Sequence, residues 1–148
     1  MSENRYQKEI DAIIIENDAK ILVETAQKIA GEMIQIKRNG KGIDEGASVS
    51  TSQIRNIYGS SKKIEMSLDK NNMPLMYNRL ILLKPKMAYA NGRFNKKLRW
   101  GDKIPGFKTL VDSLSYAIDK VDGDYDRMKN FFNFFEAILA YHKAEGGK

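Results

Sequence analysis

The residues in this sequence that could do chemistry are mainly cations, and many of them fall between positions 79 and 108. That stretch contains nine Lys or Arg residues and a single acidic residue, Asp102. Aromatic residues, among them Tyr89, Phe94 and Trp100, are interspersed among the charges. Cations that pair with phosphates and aromatic rings that stack on bases are a common means of binding single-stranded nucleic acid. The charges alone would indicate a solvated face, and the interspersed aromatic residues make contact with nucleic acid an equal alternative.

A second group of cations, Arg55, Lys62 and Lys63, lies on a segment whose apolar residues follow helical spacing. Arg55 comes about one turn after Ser50 and Thr51, whose hydroxyl groups can cap the start of a helix. Backbone N–H groups at a helix start and a nearby guanidinium can together receive a phosphate. The formal net charge of +6 agrees with a polyanionic partner, because positive potential attracts phosphate at long range.

Catalytic chemistry finds little support in the sequence. The single histidine, His142, cannot form a metal cluster alone, and its place near the end of the last predicted helix favours a capping or packing role. Asp122, Asp124 and Asp126 have the spacing of the start of a calcium loop, but the later glycine and glutamate of such a loop are absent. No Walker A or dinucleotide-binding motif occurs. We expect no catalytic site, no metal site and no cofactor.

Composition places the chain among ordinary globular proteins. Of its 148 residues 42% are apolar and 30% are charged, which fits one domain with its own core. The absence of cysteine excludes a disulfide scaffold, a thiolate zinc site and a cysteine nucleophile, and it agrees with a reducing cytosol. The first apolar run, residues 13–15, is too short for a signal peptide or a membrane span. We expect a cytoplasmic protein without membrane contact.

Helical periodicity dominates the rest of the sequence. Apolar residues recur every three or four positions, and the residues in front of several such runs are typical N-caps, such as Asp18, Ser50 and Asp124. The pattern predicts five helices, over residues 19–38, 51–68, 73–91, 107–121 and 125–141. No segment alternates with the period of two that is typical of a strand.

The predicted fold class is all-α: a single-domain bundle of about five helices over residues 1–148. The central helix is apolar on nearly all sides, and Pro85 within it predicts a kink near residues 82–84. We expect this helix to end at Asn91 and Gly92, with a basic connection over residues 93–106. Three further segments complete the prediction: a polar leader over 1–16, a flexible loop over 39–50 and a frayed tail over 145–148.

Three stretches of the sequence resemble motifs of one protein family. They are residues 51–58 (TSQIRNIY), residues 83–93 (LKPKMAYANGR) and residues 135–143 (FEAILAYHK), and they occur in the family's order. The family is the small subunit of type III-A CRISPR effector complexes, the Csm complexes. The resemblance covers most of the chain from the second helix onward, whereas the amino-terminal helix matches only in general character.

The resemblance implies a helical, non-catalytic subunit that is present in several copies, stacked as an inner filament beside the subunits that hold the guide RNA. It implies contacts with guide RNA and target RNA, with the backbone and large subunits, and between copies of the chain itself. The family's basic positions correspond to Arg55 and Arg93, and less closely to Lys86. The charge pattern alone adds five further RNA-binding candidates: Lys62, Lys63, Lys96, Lys97 and Arg99.

We expect Arg55, Lys86 and Arg93 to line a positive groove that binds phosphates without reading bases. A subunit that serves any guide must leave sequence recognition to base pairing. Two alternatives stay open. One is a helical scaffold that joins protein subunits without touching RNA. The other is a small nuclease or transferase, whose candidate catalytic residues would be Asp122, Asp124, Glu136 and His142.

Overall fold

The computed structural model describes residues 5–34, 40, 49–97 and 106–146 of the chain. Within these ranges it contains seven α-helices, one 3-10 helix at Lys70–Asn72 and no β-strand. The α-helices are α1 Gln7–Ile14, α2 Ala19–Glu32, α3 Thr51–Met66, α4 Met73–Ile81, α5 Leu83–Lys97, α6 Gly106–Val121 and α7 Tyr125–Ala144. The all-α class is confirmed. The expected count of about five is too low, because α1 is additional and the predicted central helix is two helices.

Three helix starts are fixed by side-chain caps that the sequence predicts. A carboxylate oxygen of Asp18 accepts a hydrogen bond from the backbone N–H three residues later, at 3.1 Å, and Asp124 does the same at 2.9 Å. At the start of α3 the N–H of Gln53 donates to the Ser50 hydroxyl (3.3 Å), and the N–H of Ser50 donates to the Gln53 side-chain oxygen (2.6 Å). Each cap satisfies N–H groups that lack a partner within the helix and contributes about 1 kcal/mol.

Helix α7 is the centre of the core, and it packs against α1, α2, α3 and α6. Its Phe131, Phe134 and Phe135 are fully buried. Tyr58 of α3 meets Phe135 edge to face, with the ring centroids 5.3 Å apart. Aromatic pairs in this geometry add stability beyond the area they bury. This contact holds the inner face of α3 against α7.

The prediction of a polar leader over residues 1–16 is wrong for residues 7–14, which form α1. Ile10, Ile13 and Ile14 are fully buried, and the helix packs against α2, α6 and α7. The three positions follow the i, i+3, i+4 spacing of a single helical face. A stripe this narrow, among polar residues, carries a weak sequence signal although it belongs to the core.

The prediction of one central helix kinked at Pro85 is not confirmed. The structure has two helices, α4 and α5, which are separated at Leu82. Pro85 occupies the first turn of α5, where its missing N–H has no intrahelical partner to lose. A proline clashes with the carbonyl group four residues earlier, and here that residue is Ile81, the last residue of α4. The chain therefore divides before the proline.

The predicted end of this segment at Asn91 and Gly92 is also wrong, because α5 continues to Lys97. Phe94 is buried and packs against Phe107 of α6, with the ring centroids 5.3 Å apart. We attribute the continuation to this contact, since Gly92 costs a helix interior only about 1 kcal/mol. Residues 93–97 are consequently helical, and the expected basic connection does not begin at Arg93.

The boundaries of the first predicted loop differ as well. Helix α2 ends at Glu32, six residues before the predicted end at Arg38. The buried Met33 follows it, and its carbonyl accepts a hydrogen bond from the N–H of Val49 at 2.8 Å. Of the predicted loop over 39–50, only residues 40, 49 and 50 lie among the described residues, and of the predicted tail only 145 and 146.

Candidate nucleic-acid interface

A groove of about 670 Å³ runs between α3 and α5, and we call it the basic groove. Four of the predicted RNA-binding residues lie along it, two on each helix: Arg55 and Lys63 on α3, Lys86 and Arg93 on α5. The remaining lining is polar or small apart from three larger side chains. Those other residues are Ser52, Gln53, Asn56, Ile57, Gly59, Ser60, Tyr89, Ala90 and Phe94.

The α3 wall of the groove follows from the helical spacing of its residues. Arg55, Gly59 and Lys63 are four residues apart, so they lie on one side of the helix. The opposite side carries Ile54 and Ile64, which are buried in the core. The capped start of α3 and its apolar face together aim the cations of this wall into the groove.

The α5 wall is built in the same way. Lys86, Tyr89 and Arg93 lie within two turns on one exposed side of α5. Leu83 and Met87 are buried on the neighbouring side of the helix, about 100° around its axis. If α5 ended at Gly92, Arg93 would leave the helix and this alignment would be lost. The unexpected continuation of α5 therefore positions Arg93 on the wall of the groove.

One hydrogen bond crosses the groove. The Lys86 ammonium donates to the Ser60 hydroxyl of α3 at 2.7 Å. On the same wall the Arg93 guanidinium lies over the Tyr89 ring, 5.8 Å from its centroid. Both contacts are with neutral groups, so the positive charge of these two side chains is not neutralised by them.

The basic groove contains four cations and none of its lining residues is acidic. Elsewhere in the described ranges several cations are paired with carboxylates: Arg5 with Glu32, Lys84 with Asp119, and Lys108 with Asp112 at 2.6 Å. No such ion pair involves the four groove cations within the described part of the chain. Like charges that face one another without counter-ions create a site for an anion.

The other predicted site residues are not brought to this groove. Lys62 forms an ion pair with Glu65 at 3.1 Å, and this hydrogen bond raises the pKa of its ammonium. Lys96 and Lys97 belong to the last turn of α5, but their side chains lie outside what the structure describes. Arg99 and the aromatic Trp100 also lie outside the described residues.

Sequence reasoning missed the polar residues that line the groove between the cations. Ser52, Asn56 and Ser60 present hydroxyl and amide groups along α3, which can donate to phosphate oxygens. Their spacing of four residues is the signal that could have found them, because it places them beside Arg55 and Lys63 on one helical side.

His142 lies away from the groove and is fully buried in α7. Its Nε2 is 2.6 Å from the carbonyl oxygen of Val49, and burial lowers the pKa of the imidazole. The expected packing role is confirmed, with a neutral ring and not a cation at the helix end. Asp124 caps α7, as described above. Among the described residues no group of three His, Cys, Asp or Glu side chains is placed to hold a metal ion.

A family model described as Csm2 Type III-A matches residues 16–148, nearly the whole chain. The chain belongs to the Csm2 family. Members of this family are the small subunit of type III-A Csm complexes. Searches of curated proteins and of solved structures found no match. Both walls of the basic groove lie within the matched range, whereas α1 precedes it.

The Csm2 assignment agrees with the helical architecture and with the three sequence stretches that resemble the family. Two of those stretches, 51–58 and 83–93, supply Arg55, Lys86 and Arg93 to the basic groove. In the described ranges no helix is both long and apolar enough to cross a membrane.

Proposed function

We propose that this Csm2-family subunit binds the phosphate backbone of target RNA paired to guide RNA, in a way that does not depend on sequence. The observation that carries the proposal is the basic groove, with four cations and no acidic lining residue. A groove between two rigid helices holds these cations at fixed positions along a phosphate backbone. It performs no chemistry on the RNA, and its role in antiviral defence is to capture and retain the target.

The chemistry of the groove favours phosphate over base edges. Arg55 and Arg93 each carry a guanidinium that can bind a phosphate through two parallel hydrogen bonds. The Lys86 and Lys63 ammonium groups contribute positive charge with little directional demand. Contacts with phosphates position a protein on nucleic acid without reading its sequence. Sequence recognition is then left to base pairing between guide and target.

The proposal extends to assembly. We infer that several copies stack as an inner filament beside the backbone subunits, so that successive grooves follow one RNA strand, with the large subunit at an end of the stack. This arrangement comes from the family resemblance. A repeated groove suits it physically, because copies that are linked in one particle bind the same backbone with an avidity above the affinity of one copy. The cytoplasm is the compartment in which such a particle would meet foreign transcripts.

The first test reverses two groove cations in the double variant Arg55→Glu, Arg93→Glu. We expect target RNA to bind more weakly by the same factor for unrelated sequences. The slope of log affinity against log salt should flatten by roughly 0.7 for each phosphate that the variant no longer neutralises, because fewer counterions are released on binding. Binding of labelled RNA to the full-length chain and to the assembled complex, over a salt series, measures both quantities.

The matched control reverses two exposed cations outside the groove, in the variant Lys8→Glu, Lys28→Glu. Both double variants lower the formal net charge of +6 by the same amount. If only the overall charge attracted RNA, the two variants would lose affinity equally, and the groove would have no special role. An unchanged salt slope in the groove variant would also overturn the proposal.

A protein–protein scaffold is the second candidate function. It is favoured by apolar side chains that are exposed away from the groove: Met66 is 79% exposed and Leu82 is 65% exposed. Contiguous apolar patches mark surfaces that contact other subunits, and in a scaffold these side chains would contribute to such a patch. In this reading the groove cations would face acidic partner surfaces, and RNA would be dispensable for assembly.

A further inference from the structure

Tyr89 is an exposed aromatic residue on the α5 wall of the basic groove. Its side chain is 68% exposed, and it is the only aromatic among the exposed large apolar residues of the described ranges. Exposing a ring of this size to water leaves its hydrophobic area unburied. The exposed ring is therefore available to a ligand that enters the groove.

Other tyrosines of the protein have structural partners within it. Tyr58 packs against Phe135, and the Tyr77 hydroxyl donates to the Ile118 carbonyl at 2.9 Å. The Tyr116 hydroxyl donates to Asp11 at 2.8 Å, and burial together with this carboxylate raises the pKa of Tyr116 to about 12. Each of these rings is explained by the packing of the helices. Packing does not explain Tyr89 in the same way.

The cations beside Tyr89 define what could cover its ring. Tyr89 stands on α5 between Lys86 and Arg93, with the Arg93 guanidinium 5.8 Å from the ring centroid. A nucleotide whose base lies on this ring would have its phosphate next to a cation on either side. A phosphate ion alone would use the cations but leave the ring uncovered. The combination fits a nucleotide, which has both parts.

We propose that Tyr89 is a stacking platform for an unpaired base of the RNA held in the basic groove. This inference rests on the proposed function and specifies which part of the RNA lies in the groove, namely an unpaired nucleotide. Bases within a continuous duplex are already stacked on both faces, so the ring receives a base that is single-stranded or turned out of the duplex. Every base has a π face, so this contact tolerates any sequence.

The test compares three RNA probes of equal length on the full-length chain. The first is a single-stranded oligonucleotide, the second has the same backbone with abasic sites throughout, and the third is the first strand annealed to its complement. Tyr89→Leu removes the ring but keeps an apolar side chain that favours helix, and Tyr89→Phe keeps the ring. Tyr125→Leu is the matched control, because Tyr125 also lies beside two lysines, Lys70 and Lys129, but does not line the groove.

We expect Tyr89→Leu to bind the single strand about 5- to 150-fold more weakly than the unmodified chain. Its affinity for the abasic strand and for the duplex should be unchanged, because neither offers a free base. Tyr89→Phe and Tyr125→Leu should bind all three probes as the unmodified chain does. Circular dichroism of the variants checks that each retains its helices.

Two results would overturn the inference. One is an unchanged affinity of Tyr89→Leu for the single strand. The other is an equal loss on the single strand and on the abasic strand, which would show that Tyr89 acts on the backbone contacts of Arg93 and not on a base. Both leave the proposed function intact, since the unmodified chain would still bind RNA. If the unmodified chain binds none of the three probes, the proposed function and this inference both fail.

Discussion

His142 joins the last helix to the chain segment that leads into the basic groove. Its imidazole contacts the carbonyl of Val49, and the N–H of Val49 donates to the carbonyl of Met33. Ser50, which caps α3, follows directly. A buried polar contact of this kind is costly to break, because the carbonyl would then lack a partner. At the residue scale, the single histidine ties α7 to the residue that precedes the cap of α3.

We predict that this contact makes stability depend on pH. Burial lowers the pKa of His142 in the folded chain, and unfolding returns it to its usual value of 6.5. Between the two values the unfolded chain binds more protons, so acid favours unfolding. The free energy of unfolding should be highest above about pH 6.5 and fall as the pH drops from there toward the lower pKa of the folded chain, by at most about 1.4 kcal/mol per pH unit. Urea titrations over this range measure the slope.

The variant His142→Gln provides the comparison. Its amide can donate to the Val49 carbonyl, but it cannot titrate. The sequence contains no other histidine, so few other groups titrate between pH 5 and 7. We expect the variant to show a flatter slope than the unmodified chain in that window. Equal slopes in the two proteins would show that the imidazole is not responsible.

The cations of the groove show how far residue types alone can predict a site. Arg55, Lys86 and Arg93 were expected to share a groove, and the structure brings them together. Residue type alone could not show which of Lys62 and Lys63 lines the groove. Adjacent residues on a helix point about 100° apart, so the two lysines meet different neighbours, which composition does not reveal. Lys63 lies in the groove, whereas Lys62 pairs with Glu65.

At the element scale, local signals predicted where helices start better than where they end. Asp18, Ser50 and Asp124 act as caps because a cap depends on residues only three positions apart. The end of α5 depends on Phe94 packing against Phe107, a contact between two helices that no local pattern contains. Gly92 therefore suggested a stop that the tertiary contact overrides. The misplaced end also put Arg93 in a connection, although it lies on α5.

Helix α1 supports a second prediction at this scale, namely that it belongs to the core. Ile13 is fully buried, whereas Ile15, two residues later, is 43% exposed. We expect Ile13→Ala to lower the free energy of unfolding by about 2–5 kcal/mol, because apolar burial is removed and a cavity is left behind. Ile15→Ala removes the same atoms from a partly exposed site and should cost less than about 1 kcal/mol. Chemical denaturation of the two variants measures the difference.

The outcome decides whether residues 7–14 act as a leader or as a core element. Similar small losses in both variants would mean that α1 detaches readily from α2, α6 and α7, as a leader would. The family match begins at residue 16, after α1, so this helix cannot be inferred from family membership. Its role has to be read from the burial of its isoleucines.

At the scale of the whole molecule, the basic groove is a product of long-range packing. Helices α3 and α5 touch each other, but α3 is also anchored on α7 and α5 on α6. Helices α6 and α7 pack together in turn. The distance between the two groove walls is thus set by four helices, and no segment of sequence contains it. The sequence and the family resemblance indicated which cations to expect, and only the fold shows which of them face one another.

The last prediction separates the two candidate functions in the assembled complex. Native mass spectrometry would be applied to particles purified through the tagged chain from cells that express partner subunits and a guide RNA. We expect several copies of the chain in a particle that contains the guide. The groove variant Arg55→Glu, Arg93→Glu should keep the same copy number and lose only target RNA, whereas Lys8→Glu, Lys28→Glu should keep both.

A chain recovered alone, or without RNA despite an assembled particle, would contradict RNA binding. If the groove variant instead reduces the copy number, and target capture falls only in proportion to the missing copies, the cations serve protein contacts and the scaffold function is correct. In one function the groove cations bind RNA, and in the other they contact a protein subunit. Counting copies and RNA in one particle therefore distinguishes the two functions.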